Sequence, residues 1–528
     1  MLLAYAPAAR SRESVSDHLD LVDRLARAIG ASWGRSRPLG RSALDGRWRV
    51  ALACPHEALG QALLEGSRRL AAAPDDAAVE DAVAFALRAW ERPAEVALLA
   101  RTARRRAIPV AWPSVGDAGR LVLGHGARAW TYAGGYLAGP GDVTGRDAAD
   151  DKLATAARLQ AAGLPSTRPV AVTTVAAAVR AARTLGFPVV LKPSRAFAQV
   201  GVHVGLHDLV DVRRAFSRAT ASAGWLGAPL LVERERRGVY VRATLVGGRL
   251  AAAFTAGAPE AIADGRRSVD ELARMVFGLP ERGALDRRSR GILQAVLTPQ
   301  GLRPHDVLRR GRRVRVGFPG QGRVRDITAR LHSGFRALLE RVGRLFPLPI
   351  VGVDLIVADP TRPPDLGRDV ILEVNANPSW AAHERPYAGA VRNLAPGILD
   401  VLFPAGIRAD VPIVAGPPGS AGVLERLARR ARDRRGVVPG GFTRGRAWSM
   451  HPRREIGAGV GAAALALLDS RTTEFYVEVD PTLAAAGLPF ERVDRVIPAE
   501  GRHARDAVAI ERWLRTLTTR PSRRWSRR

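Results

Sequence analysis

Two apolar segments joined by a proline-rich turn constrain the fold of this chain more than any other feature. Segments 351–359 and 368–378 are typical of strands, and the intervening PTRPPDLG is typical of a turn. Side chains alternate along a strand, so Glu373 and Asn375 lie on one face, and antiparallel pairing places Asp354 near Glu373. Carboxylate and amide oxygens suit Mg²⁺, so the hairpin predicts a magnesium site. An ordinary hairpin with exposed acidic side chains is the alternative.

The basic residues are almost all arginine. Lys and Arg together number 81, yet only Lys152 and Lys192 are lysine, a bias typical of a GC-rich genome. Lys152 stands at the start of a predicted helix, DDKLATAARLQAAGLP, and Lys192 ends a predicted strand, FPVVLKPS. Arginine and lysine are not equivalent where a compact ammonium must meet a phosphate. The two positions therefore predict phosphate-binding lysines, with two chance surface lysines as the alternative.

These motifs resemble the ATP-grasp superfamily, whose members carry one lysine at a "DK" helix start and another in a "PVVxKP" strand. Its metal signature is similar to GVDLIV…ILEVNANP of this chain. The resemblance implies that Lys152 and Lys192 contact ATP phosphates and that Mg²⁺ binds the three hairpin residues. The cofactors implied are ATP and Mg²⁺.

The same resemblance implies further site residues. Glu233, in LLVERERRG, lies where the strand beside the adenine is expected. Arg242, in VYVRATLVGG, matches an arginine near the acyl-phosphate charge, where a fixed cation stabilises the transition state. Arg315 is a weaker candidate for that role, and a solvated arginine is the alternative for both. Gly201 is the one glycine kept in PSRAFAQVGVHV, where relatives have a glycine-rich flap over the phosphates.

Longer segments resemble one branch of that superfamily, cyanophycin synthetase and its relatives. The resemblance extends from about residue 50 to 500 and includes FPGQGRVRDITARLH and LEVNANPSWAAHERPYAGAVRNLAPGILDVLFP. In the first of these, Asp326, Thr328 and His332 follow the order of a "D-x-T-x-x-H" motif, with three residues instead of two between the threonine and the histidine. That family joins an N-terminal domain, an ATP-grasp domain that forms an amide through an acyl phosphate, and a Mur-ligase-like half.

The C-terminal region departs from the family pattern. VPIVAGPPGSAGVLERLARRA has the strand, glycine-rich turn and helix of a P-loop. A working P-loop needs a lysine followed by Ser or Thr, but Ser420 and Ala421 stand there. We therefore expect a degenerate, inactive remnant of the Mur half.

The predicted architecture is α/β, and 528 residues are too many for one ordinary core. The helix-then-strand sequence VALLARTARRRAIPVAW marks the N-terminal α/β domain. We predict that domain at 1–145, an ATP-grasp domain at 146–404, a P-loop remnant at 408–505 and a basic tail at 506–528. Cys54 is the only cysteine, which excludes an internal disulfide and a cysteine-based zinc site.

The predicted function is ATP-dependent joining of a carboxylate to the amine of an amino acid or peptide. The intact lysines and metal residues favour activity over the alternative of a pseudoenzyme or scaffold, although the flap has lost glycines. The formal charge of +30 also leaves a polyanion binder open, but the arginines are spread along the chain. We expect a small-molecule substrate, or else an anionic polymer, and no nucleic-acid or membrane partner. No signal-peptide pattern is present, so we expect a cytoplasmic protein that forms a homo-oligomer or a hetero-oligomer with a homologue.

Overall fold

The computed structural model divides into two compact units, Asp142–Val401 and a second made of Met1–Gly141 with Leu402–Arg528. The residues that it describes are 2–5, 19, 21–22, 37–41, 48–51, 63–67, 94–111, 121–133, 136–139, 149, 151–195, 201–221, 228–279, 285, 287–450, 453–458, 463, 466–486, 488, 490, 492–498 and 505–518. The predicted N-terminal and C-terminal domains thus fall in one unit. Within the described residues, no helix combines the length and apolarity that a membrane crossing needs.

Short antiparallel sheets form the N-terminal part of the discontinuous unit. The first three strands are β1 (Leu2–Tyr5), β2 (Arg37–Arg41) and β3 (Trp48–Ala51), in the order β1-β3-β2. Helix α1 (Ala94–Arg105) is followed by the strands β4 (Val110–Ala111), β5 (Leu121–Leu123), β6 (Trp130–Ala133) and β7 (Tyr136–Ala138). The helix and strand predicted from VALLARTARRRAIPVAW are α1 and β4.

The continuous unit begins with a four-stranded antiparallel sheet and its helices. Helix α2 (Lys152–Ala161) precedes β8 (Val170–Val172), α3 (Val175–Leu185), β9 (Val189–Pro193), β10 (His203–Leu206), α4 (Leu209–Thr220) and β11 (Leu230–Arg234). The strand order is β10-β9-β11-β8. Helices α3 and α4 are amphipathic, and their buried faces pack on the sheet in one apolar core.

A five-stranded antiparallel sheet follows, with one small sheet connected to it along the chain. Its strands are β12 (Val239–Val246), β13 (Arg249–Ala256), β16 (Val324–Asp326), β17 (Ile350–Val357) and β18 (Val370–Asn375), in the order β16-β13-β12-β17-β18. The small sheet is β14 (Glu260–Ile262) with β15 (Arg313–Arg315), and the helices are α5 (Val269–Val276), α6 (Arg287–Leu297), α7 (Ser333–Leu345) and α8 (Ala395–Leu402). Every residue of β17 is buried, including Asp354.

The C-terminal part of the discontinuous unit contains a mixed six-stranded sheet. Its elements are β19 (Ile413–Gly416), α9 (Ala421–Arg432), β20 (Pro439–Thr443), β21 (Arg446–Met450), β22 (Arg453–Ala458), β23 (Glu474–Glu478), α10 (Pro481–Ala486), β24 (Arg495–Val496) and α11 (Arg505–Thr518). The order is β22-β21-β20-β23-β19-β24, and the last four strands run parallel. The α/β class predicted from sequence is confirmed.

The predicted basic tail at 506–528 needs correction over its described part. Residues up to 518 belong to α11, and its Ile510, Leu514 and Leu517 are buried in the core beside β19 and β23. Apolar residues recur at spacings of four and three, so the helix buries one face, while Arg512 and Arg515 are exposed. The segment RPSRRWSRR lies outside the described residues.

Candidate active site

One row of cross-strand neighbours forms the centre of the candidate site. From β16 to β18 across the five-stranded sheet, this row consists of Asp326, Phe254, Arg242, Asp354 and Glu373. We call it the central row. Side chains at directly opposed positions project from the same face of a sheet. The register therefore gathers three carboxylates, one guanidinium and one aromatic ring on a single surface.

Asp354 is the most heavily bonded member of the central row. It is 3% exposed, and Arg242 donates to both of its oxygens, from Nε to Oδ1 and from Nη2 to Oδ2, the latter at 2.8 Å. Tyr240 donates its hydroxyl to Oδ1 at 2.6 Å, and Asn375 donates Nδ2 to Oδ2 at 3.0 Å. The three predicted metal residues do lie together, because Asn375 Nδ2 is also 3.1 Å from Glu373 Oε1. Their metal-binding role stays a prediction.

The two adjacent carboxylates differ in acidity. Burial raises the pKa of Asp354 to about 6, with the charge of Glu373 adding to this and Arg242 opposing it. Burial also acts to raise the pKa of Glu373, but Lys152, a hydrogen bond with Asp354 and the charge of Lys192 bring it down to about 2. The surroundings therefore favour the ionised form of Glu373 more than that of Asp354.

The start of α2 brings the two lysines to the same region. Asp151 caps the helix by accepting from the backbone of residues 153 and 154. The backbone N–H of Lys152 donates to the carbonyl of Ser194 at 3.1 Å, two residues beyond Lys192 at the end of β9. Lys152 Nζ is 3.6 Å from Glu373 Oε2, which ties the helix start to the central row.

Lys192 forms a buried ion pair with Glu233. The Nζ–Oε1 distance is 2.7 Å, and the side chains are 9% and 5% exposed. Glu233 Oε2 is buried and has no hydrogen-bond partner in the part of the chain that the structure describes. Buried polar atoms are nearly always paired, so an amino or hydroxyl group of a ligand would complete this one. A cationic pair of lysines beside an unpaired acceptor fits a nucleotide, with its phosphates and its donor groups.

The oxygen donors also fit a hard divalent cation. Asp354 and Glu373 supply carboxylates, and a half-turn of the Asn375 amide would present its oxygen in place of Nδ2. Among the described residues, no group of three or more His, Cys, Asp or Glu side chains is arranged to hold a metal. The candidate site therefore has two carboxylates and one amide, and nucleotide phosphates would complete the coordination.

Three residues that the sequence did not single out support the central row. Tyr240 and Thr244 flank Arg242 at alternate positions of β12, and Thr244 Oγ1 lies 2.8 Å from Nε2 of the buried His383. Burial, with the charge of Arg242, lowers the pKa of His383 to about 4, so this imidazole is neutral at pH 7. Gly320 has φ +94°, and a Cβ there would come within 2.8 Å of the Tyr240 ring. The period-two alternation around Arg242 was the available signal.

The remaining predicted residues make no contact with Asp354 among the described bonds, although Asp326 lies at the β16 end of the central row. Arg315 is exposed on β15 opposite Glu260, and its backbone N–H and carbonyl form hydrogen bonds with the side-chain amide of Gln300. Gly201 has φ +70° just before β10, but residues 196–200 of the predicted flap lie outside the described part. Asp326 accepts from Thr328 at 2.5 Å and from Arg392 at 3.3 Å. His332 instead caps α7 by accepting from the backbone of Gly334.

The P-loop-like turn forms a hydrogen bond with a carboxylate of the same chain. Gly419 donates its backbone N–H to Glu478 Oε1 at 2.9 Å, and Arg444 donates its backbone N–H to Oε2 at 2.8 Å. Ser420, at the position of the P-loop lysine, is buried and donates its hydroxyl to the carbonyl of Pro417 at 2.7 Å. A carboxylate of the chain itself therefore lies at the turn where a P-loop would bind phosphate.

No family model matches the chain. The chain is 28% identical over 360 residues to cyanophycin synthetase from Geminocystis herdmanii, covering 65% of this chain and 40% of that protein. It is 28% identical over 234 residues to the glutathione biosynthesis bifunctional protein of Mannheimia succiniciproducens, covering 42% and 30%. A solved bifunctional glutathione synthetase from Pasteurella multocida aligns with a TM-score of 0.40 and 23% identity, over 64% of this chain and 49% of that one.

The chain thus spans about 40% of the length of the cyanophycin synthetases that it matches. These relatives confirm the resemblance inferred from the motifs: over about two thirds of its length, the chain is similar in sequence to cyanophycin synthetases.

Proposed function

We propose that this chain is an ATP-dependent carboxylate–amine ligase that forms an amide bond through an acyl phosphate and uses Mg²⁺. The observation that carries the proposal is the convergence of Lys152, Arg242 and two carboxylates on one sheet face. Similarity to cyanophycin synthetases and to glutathione biosynthesis proteins supports the same reaction class.

The roles follow from charge and position. ATP with Mg²⁺ supplies the phosphoryl group that activates the carboxylate. Lys152 and Lys192 hold the phosphates, while Asp354, Glu373 and Asn375 hold the cation. Arg242 lies in the same row and offsets the negative charge that develops when the amine attacks. Fixed charges in a partly buried site stabilise such a transition state more than mobile water does.

The amine substrate in this proposal is an amino acid or a short peptide. The proposal includes one ligase step only, because Ser420 replaces the P-loop lysine and Glu478 fills the turn at the other candidate nucleotide site. Because the proposed reaction needs ATP, the proposed location is the cytoplasm.

The test is Mg²⁺-dependent phosphate release from ATP with a panel of amino acids and peptides as amines. Lys152→Met is the most informative variant, because Lys152 is tied to Glu373 and is partly exposed, so the change is tolerated better than one at Lys192. We expect a loss of about a hundredfold in turnover, the scale for removing one charge-stabilising donor. The matched control is Arg183→Met, which removes an exposed cation from α3.

Three outcomes separate the alternatives. Amine-stimulated phosphate release that depends on Lys152 supports the ligase. Nucleotide binding without release for any amine supports a pseudoenzyme. Absence of nucleotide binding, with Lys152→Met behaving like the unmodified chain, overturns the proposal.

A further inference from the structure

The carboxylate of Asp354 has no acceptor position left for a metal ion. A carboxylate offers about four lone-pair positions. Oδ1 accepts from Tyr240 and from Arg242 Nε, and Oδ2 accepts from Arg242 Nη2 and from Asn375. A cation can reach Asp354 only if one of these donors withdraws.

The charges at the site indicate which donor withdraws. Asp354 and Glu373 carry two negative charges, and Arg242 and Lys152 balance them in direct contact. A divalent cation bound to the two carboxylates would supply the same two positive charges. Arg242 and Lys152 would then be in excess, and like charges at such short distances repel strongly where the dielectric constant is low. Tyr240 and Asn375 are neutral and feel no such repulsion. Turning the Asn375 amide towards the cation would free one position on Oδ2 but would leave the excess positive charge in place.

Resting on the proposed function, we propose that the guanidinium of Arg242 occupies the position of the metal ion beside Asp354 until that ion binds. We call this the placeholder role of Arg242. Without nucleotide, its guanidinium neutralises Asp354 and keeps the two buried carboxylates together. When the divalent cation binds, the guanidinium leaves Asp354 and becomes available to the transferred phosphoryl group. Arg242 lies directly opposite Asp354 on the neighbouring strand, so its long side chain can leave the carboxylate without any change in the backbone.

The consequence is a competition that is measurable without catalysis. Removing Arg242 removes two charge-assisted hydrogen bonds to Asp354, and such bonds are among the strongest in proteins. The affinity for a divalent cation in the absence of nucleotide should therefore rise. If Arg242 only held the metal ligands in place, its removal would instead lower the affinity for the cation.

The experiment measures Mn²⁺ binding to the full chain without nucleotide by electron paramagnetic resonance, at pH 8. That pH lies well above the ordinary range of a carboxyl group. We expect Arg242→Ala to bind Mn²⁺ at least about tenfold more tightly. Tyr240→Phe is the matched control, because it removes a neutral donor from the same carboxylate, and we expect a change below about threefold. Arg242→Gln, which keeps a donor but no charge, should behave like Arg242→Ala and serves if the alanine variant does not fold.

Unchanged or weaker Mn²⁺ binding by both Arg242 variants overturns the placeholder role. Mg·ATP binding by the unmodified chain is measured in parallel. If that binding is present and the Arg242 variants show no gain, only this inference fails. If the unmodified chain does not bind Mg·ATP, the proposed function itself fails.

Discussion

The buried pair of Lys192 and Glu233 gives the sharpest prediction for stability. Both side chains are less than a tenth exposed, and their charged atoms are 2.7 Å apart. Lys192→Ala leaves the carboxylate of Glu233 buried without a counter-charge, because Oε2 already has no partner among the described residues. Breaking a buried pair in this way costs about 3–5 kcal/mol. For a unit of this size that corresponds to a fall in melting temperature of roughly 6–20 °C.

The assay is thermal unfolding of Lys192→Ala, Glu233→Gln and the double variant Lys192→Met/Glu233→Gln, each without nucleotide. The double variant should recover most of the loss, because no charge remains buried and the volume is nearly kept. Lys192→Ala unfolding within about 1 kcal/mol of the unmodified chain, or a double variant no more stable than Lys192→Ala, would refute the reasoning. A loss of turnover in Lys192→Ala therefore has to be corrected for unfolded protein before it is assigned to phosphate binding.

Three further predictions test other parts of the chain. Because the pKa of Asp354 is raised to about 6, a proton competes with the metal below that pH. The Mg²⁺ concentration for half-maximal phosphate release should therefore rise from pH 7 to pH 5, and a flat profile would contradict the assignment. Glu478→Ala should lower the free energy of unfolding in urea by about 1 kcal/mol, because two backbone donors lose their acceptor. Added inorganic phosphate should restore part of that stability. Leu514→Ala should lower the free energy of unfolding by about 2–5 kcal/mol because the side chain is fully buried, whereas Arg512→Ala should leave it unchanged. Equal effects of the two changes would mean that α11 does not pack against the core.

Local patterns were enough to predict the hairpin that contains Asp354 and Glu373. The alternation of apolar and polar residues and the proline-rich turn lie within 28 residues, 351–378, and the structure pairs Asp354 with Glu373. The two lysines stood out for a different reason, namely that all the remaining Lys and Arg positions are arginine.

Contacts between distant segments could not be predicted in the same way. The bonds from Tyr240 and Arg242 to Asp354 depend on the register of two strands separated by more than a hundred residues. The pairing of Lys192 with Glu233 likewise depends on which strand lies beside β9. The C-terminal helix was missed because a high arginine content suggests a solvated tail, although one face of the helix is apolar.

The discontinuous unit has a consequence for the order in which the chain acquires structure during synthesis. His125 donates its backbone N–H to the carbonyl of Ala409, and Ala127 donates to Thr472, so residues near 125 bind partners that are made some 280 or more residues later. Residues 142–401 contain all the contacts of their own unit and can fold while the ribosome is still making the remainder. The N-terminal part must wait with these donors unpaired until the last quarter of the chain emerges. Nascent chains stalled before residue 402 should therefore show protease resistance in residues 142–401 first.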